Sequence, residues 1–171
     1  MIISLLGYMG SGKSHISKNL SHKINFKLID LDQIISEQHQ QSIPEIFAKR
    51  GEIYFRKEEK RILEELLDLK DNVVLSLGGG TPVYYDNMKI INEKSKSIFL
   101  RASVNTLTKR VLLQKNTRPL IAKLDDFDVP EFIAKHLFER NPYYSQAHFT
   151  IDTDSKTAAE ISEEIIRSLE I

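Results

Sequence analysis

Ile2-Ile3-Ser4-Leu5-Leu6-Gly7-Tyr8-Met9-Gly10-Ser11-Gly12-Lys13-Ser14 joins a short apolar run to a loop of the form G-x-x-x-x-G-K-[ST]. Each position in that loop has a physical reason. Glycines let successive backbone N–H groups turn inward and approach phosphate oxygens with no β-carbon in the way. The loop opens a helix, whose N-terminal dipole favours a bound anion. Lys13 can reach the β- and γ-phosphates, and the Ser14 hydroxyl can ligate a magnesium ion. A chance match in a turn is the bland alternative. The context opposes it, because Ile2–Leu6 reads as a strand and Ile16, Leu20 and Ile24 mark one apolar helix face just after. The loop and its flank therefore nominate Gly10, Ser11, Gly12, Lys13, Ser14 and His15 for nucleotide binding. A phosphate loop does not say what is done with the nucleotide, and small-molecule kinases, nucleotide kinases, switches and motors all remain open.

Outward from this loop, short β-rich runs alternate with helical patterns. Phe26–Ile29, Val73–Leu77, Ile98–Leu100 and His148–Ile151 are the further candidate strands. Phe55, Glu59, Ile62, Leu63, Leu66 and Leu67 fall on one face of a longer helix, and Ala158, Ile161, Ile165 and Leu169 form a last stripe. Such alternation predicts an α/β protein, a three-layer αβα sandwich around a five-stranded parallel sheet. The 171 residues suit one domain over 1–171. With 41% hydrophobic and 28% charged residues, the composition is that of a globular chain. Twenty-four basic residues balance twenty-four acidic ones, so a general nucleic-acid binder is not expected. There is no cysteine, which excludes disulfides, thiolate catalysis and cysteine-based zinc sites. No apolar run approaches the ~20 residues of a membrane span, and Met1–Leu6 lacks the flanks of a signal peptide. A cytoplasmic protein that meets no membrane is expected.

Asp30-Leu31-Asp32 is read as the end of the second strand, with both carboxylates on one face and Leu31 on the other. Ligands of parallel sheets sit beyond the carboxyl ends of strands, where the phosphate loop also lies. One carboxylate could hold magnesium through water and the other could accept a proton from an attacking hydroxyl. Alternatively, Asp32 only caps a helix beginning near Gln33. Residues from about Gln114 to Val129 show weak periodicity and read as a loop long enough to be a lid.

Three further segments complete a pattern. Gly51-Glu52-Ile53-Tyr54-Phe55-Arg56 leads into a helix, Leu77-Gly78-Gly79-Gly80 ends the third strand, and Arg118-Pro119-Leu120 precedes Arg140-Asn141-Pro142-Tyr143-Tyr144. With the phosphate loop and the paired aspartates, this ordered set resembles the shikimate kinases, in the nucleoside-monophosphate-kinase-like group of P-loop proteins. The resemblance runs from Gly7 to about Asp154. It implies transfer of the γ-phosphoryl group of MgATP to the 3-hydroxyl of shikimate, a step toward aromatic amino acids, by a monomer with a lid at about 114–126 and a substrate-binding region at about 33–60. It places the substrate-carboxylate arginine at Arg56, a second at Arg140, and the acid that orients them at Glu59. The hydroxyl-contacting aspartate falls on Asp32 and the metal-side aspartate on Asp30, beside Ser14. Gly78, Gly79 and Gly80 approach the acceptor ring, Phe47 and Phe55 supply apolar contacts, and Arg118 is the lid arginine. Arg110 and Thr153 fall beside the nucleotide base.

The residue chemistry supports these roles independently. A planar guanidinium grips a carboxylate bidentately, and successive glycines admit an acceptor's hydroxyls to backbone N–H groups. Bland readings stand beside each. Arg56 lies in a charged helical run that could be a solvated face, Phe47 and Phe55 could be core, Gly78–Gly80 a strand exit, and Arg140 a partner of Glu139. Arg110 could be a solvated helix residue beside Lys109. The chain departs from the family pattern at His15, where a small hydroxyl residue is usual, and at Asp152–Lys156, where a proline usually flanks adenine. A gluconate-type kinase, an adenylate kinase and a non-catalytic nucleotide-binding module are the rival readings. The triple glycine and the Arg-Pro-Leu lid argue against the first. Ser14 after the lysine argues against the second, and joint retention of Lys13, Asp32, Arg56 and Arg118 against the third.

Overall fold

The computed structural model describes residues 1–171, the side chain of Pro119 excepted. Five strands, β1 (Ile2–Leu6), β2 (Lys27–Asp30), β3 (Val73–Ser76), β4 (Lys96–Arg101) and β5 (Phe149–Asp152), form one sheet in the order β2-β3-β1-β4-β5. Every pairing is parallel. All five expected strands are present, with ends displaced by one or two residues.

Helix α1 (Lys13–Ile24) follows β1, and α2 (Leu31–His39), α3 (Ile43–Arg50) and α4 (Glu52–Leu67) connect β2 to β3. Then come α5 (Asn87–Lys94), α6 (Val104–Leu113), the short α7 (Pro119–Ala122), α8 (Val129–Tyr144) and α9 (Ala158–Leu169). The first crossover runs toward the β2 edge and the later ones run the other way. Right-handed connections must therefore put α1 on one face and α2–α6 and α8 on the other. Two cores result. Ile3 and Leu5 of β1 pack with Ile16 and Leu20 of α1 and Ile161 and Ile165 of α9. Ile2 and Leu6, on the opposite side of the same strand, pack with Ile35, Ile62, Leu63, Leu107 and Ile133. Full burial of each such side chain is worth about 1.5–3 kcal/mol. The αβα sandwich is as expected.

Two local expectations are corrected. The second strand stops at Asp30, and Leu31 and Asp32 already belong to α2. Asp30, not Asp32, is the N-cap, its carboxylate accepting from the Gln33 N–H at 3.1 Å. The stretch after α6 is not structureless either. It holds a 3₁₀ turn over Lys115–Thr117 and then α7, whose Ile121 is fully buried and anchors the segment. Among the described residues, no helix is long and apolar enough to cross a membrane.

Candidate active site

The chain leaves β1 toward one sheet edge and later passes it toward the other, so the carboxyl end of β1 is the switch point where α/β proteins bind ligands. A cleft of about 530 Å³ opens there. Gly10, Gly12, Lys13, Ser14 and His15 line one side, Asp30 and Asp32 the floor, Gly78 and Gly79 the far wall, and Arg110 and Arg118 the rim. Gly10 and Gly12 adopt φ of 80° and 92°, a region that L side chains rarely enter. The Lys13 ammonium folds back over the loop, donating to the carbonyls of Gly7 at 2.7 Å and Tyr8 at 3.1 Å. Burial lowers its pKa to about 8; Arg118 and Arg140 push the same way and Asp32 and Asp30 oppose. Burial also raises Asp32 to about 6, helped by Asp30 and Glu59 and opposed by Lys13 and Arg56. Asp32 thereby becomes a better proton acceptor than an ordinary carboxylate while remaining largely ionised at neutral pH.

Beyond the glycine run lies a second group. Arg56 is half-buried, and its Nη1 donates to Glu59 Oε1 at 2.9 Å. Glu59 is 1% exposed, and its other oxygen accepts from the Thr81 hydroxyl at 2.8 Å. The Arg56 guanidinium stacks on Tyr84 at 4.0 Å and lies 5.1 Å from the Phe55 ring and 5.8 Å from Phe47. It packs so closely on the backbone of Gly80 that a β-carbon there would be 2.8 Å from Nη2. Arg140 reaches the same wall from α8, with Nη1 3.2 Å from where a Gly79 β-carbon would be. Arg140 is thus turned toward Gly79 and the Tyr8 ring, 5.6 Å away, and not to Glu139.

The structure therefore gathers Lys13, Ser14, Asp30, Asp32, Gly78, Gly79, Arg110 and Arg118 on one cleft and sets Arg56, Glu59, Gly80 and Arg140 along its far wall. Four of the expected residues have surroundings that bear on their roles. Thr153 does not face the cleft, because both its N–H and its hydroxyl donate to the Arg101 carbonyl, at 2.8 and 3.1 Å. The Ser11 side chain is buried against Gly7, away from the main cleft. Phe55 is core, 2% exposed, and acts on the site through Arg56. Glu59 holds only one of the two arginines, Arg56, among the described residues. Arg110 donates to the Gly10 carbonyl at 3.1 Å and borders a recess of about 230 Å³ with Gly12, His15 and Lys156. Lys156 there stands in the segment where a proline is usual.

Sequence reasoning missed Thr81, Tyr84 and Tyr144. Tyr84 donates to Glu52 at 2.7 Å while carrying Arg56 on its ring. Tyr144, fully buried, donates to the Gly79 carbonyl and fixes the glycine wall from behind. The partners of their side chains lie 22 or more residues away in sequence, so no local spacing shows what they hold.

Comparison with known proteins gives the family. The family model described as shikimate kinase matches residues 9–170. The shikimate kinase of Flavobacterium psychrophilum is 43% identical over 168 residues, covering 98% of this chain and 98% of that one. A crystal structure of shikimate kinase from Bacteroides thetaiotaomicron superposes with a TM-score of 0.93 at 34% identity, covering 100% and 99% of the two chains. One from Acinetobacter baumannii in complex with shikimate gives 0.89 at 29% identity, covering 99% and 92%. Because the family model and a relative 43% identical each span nearly the whole chain, the chain belongs to the shikimate kinase family.

Proposed function

We propose that this chain transfers the γ-phosphoryl group of ATP to the 3-hydroxyl of shikimate, yielding shikimate 3-phosphate and ADP for aromatic amino acid biosynthesis. The observation that carries this reading is the placement of Asp32 between the phosphate loop and a glycine wall backed by Arg56 and Arg140. In it, the two guanidinium groups take the carboxylate of shikimate and Gly78–Gly80 approach its ring. The acid is thereby fixed with one hydroxyl toward the γ-phosphorus. The hydroxyl oxygen bonds to phosphorus as the bond from phosphorus to the β,γ-bridging oxygen breaks. The hydroxyl proton passes to Asp32, and ADP leaves with the electron pair. Lys13 and Arg118 neutralise charge on the transferred group.

The donors present fit a magnesium ion, since the Ser14 hydroxyl and the Asp30 carboxylate are hard oxygen ligands on the nucleotide side of the cleft. Held by Ser14 and Asp30, the ion would supply positive charge against the phosphates as charge moves onto the leaving nucleotide. Gly10, Gly12 and His15 belong to the nucleotide side in this reading, with Arg110 beside the base. Residues of about 33–60 form the acid-binding region and about 114–126 the lid, within one domain. On this reading the protein acts as a monomer in the cytoplasm, where ATP is supplied. A coupled ADP-release assay with shikimate, gluconate and AMP tests the proposal. Turnover with shikimate alone is expected; MgATP binding without it would leave only a triphosphate binder.

A further inference from the structure

Thr81 follows the glycine run directly and is fully buried, yet the reaction described above does not use it. Its three polar groups are all engaged, each on a different part of the acid side. Its N–H donates to the Gly78 carbonyl at 3.1 Å, closing a turn around Gly79 and Gly80. Its hydroxyl donates to Glu59 Oε2 at 2.8 Å. Its carbonyl accepts from the side chain of Asn87, itself fully buried at the start of α5, at 2.9 Å. The same hydroxyl lies 3.0 Å from where a Gly78 β-carbon would be, as does Asp32 Oδ1.

Glu59 is the centre of this arrangement. It is a buried carboxylate with one oxygen held by Arg56 and the other by Thr81. A buried carboxylate oxygen stripped of its donor is costly, and the group turns to recover a partner. If Glu59 turns, the Arg56 guanidinium loses its 2.9 Å anchor and is left with the looser ion pair of its Nε to Glu52 at 3.5 Å. Arg56 has only a narrow place to be, between the Gly80 backbone and the Tyr84 ring.

We propose that Thr81 is a positioning residue for the acid substrate: its hydroxyl aligns Glu59, and through Glu59 it aims Arg56 at the substrate carboxylate. This rests on the reading that Arg56 grips the carboxylate of shikimate. The inference joins two grips that are otherwise separate, since one side chain sets both the turn of the glycine wall and the angle of the guanidinium.

The test is kinetic, with Thr81→Val, which keeps shape and removes the donor, and Thr81→Ala in case valine is not accommodated. Wild-type turnover of shikimate is measured first, and its absence would sink the parent reading alone. In either variant that folds by circular dichroism, KM for shikimate should rise roughly tenfold, the scale of one hydrogen bond to a charged group. KM for ATP and kcat should stay within about twofold, because the lost contact acts on substrate binding. Thr81→Ser should restore the wild-type KM. The methyl ester of shikimate supplies a second measure. The factor by which the wild type prefers acid over ester should shrink in Thr81→Val. Unchanged KM for shikimate in a folded variant, failure of serine to restore it, or an unchanged acid-to-ester ratio would overturn the proposal.

Discussion

Gly80→Ala isolates the acid grip without replacing any charged group. The backbone at Gly80 has φ −89° and ψ −18°, which alanine adopts freely, so folding should be spared. The added β-carbon would lie 2.8 Å from Arg56 Nη2 and 2.9 Å from Nη1, closer than real β-carbons come, and a tight 3.1 Å from Cζ, so the end of the arginine must shift. Arg56 must retreat, yet Glu59 holds it at 2.9 Å and the Tyr84 ring lies 4.0 Å from Cζ. The displaced guanidinium no longer meets a carboxylate in line. Misaligning a charge-assisted hydrogen bond costs about 1.5–3 kcal/mol, a rise of roughly 10- to 150-fold in KM for shikimate. A coupled ADP-release assay reads KM and kcat, and a thermal melt reads stability. Gly51→Ala is the counterpart. A β-carbon at Gly51 meets nothing within 4 Å, but φ is +84°. With ψ at 170°, this is backbone that only glycine adopts readily, so that variant should lose roughly 1–3 kcal/mol of stability through backbone strain with KM unchanged. If Gly80→Ala binds shikimate normally with an unaltered melt, Arg56 is not the grip the geometry suggests.

Three further outcomes are expected. Lys13→Met should cut kcat by about a hundredfold or more, because the ammonium offsets charge gained by the migrating phosphoryl group; near-normal turnover would remove the phosphate loop from the chemistry. Asp32→Asn should suppress transfer while nucleotide binding, read by calorimetry, stays near wild type, and a collapse of ATP affinity instead would exchange its role with that of Asp30. Tyr144→Phe removes the donor from the part-buried Gly79 carbonyl and should cost about 0.5–1.5 kcal/mol of stability. An unchanged melting temperature would show that bond to be idle.

Much of the architecture was legible because its signals are short-ranged. The apolar run of β1, the four-residue steps Ile16–Leu20–Ile24 and the phosphate loop all lie within a few turns of chain, so local sterics and periodicity suffice. Boundaries were harder. Ile29, Asp30, Leu31 and Asp32 alternate apolar and charged as a strand would, and only the capping bond from the Gln33 N–H to Asp30 shows where strand gives way to helix. Both carboxylates reach the cleft all the same, since the first turn of α2 carries Asp32 over the end of the sheet.

Sequence alone determined that this chain carries a phosphate-binding strand–loop–helix unit and a doubly covered parallel sheet. Those follow from backbone freedom at a few glycines and from the spacing of apolar side chains. Tertiary structure decided which charged groups face one another. Thr81 meets Glu59 across twenty-two residues and Tyr144 meets Gly79 across sixty-five. Contacts made at such separations depend on how the elements pack, and no local pattern encodes them.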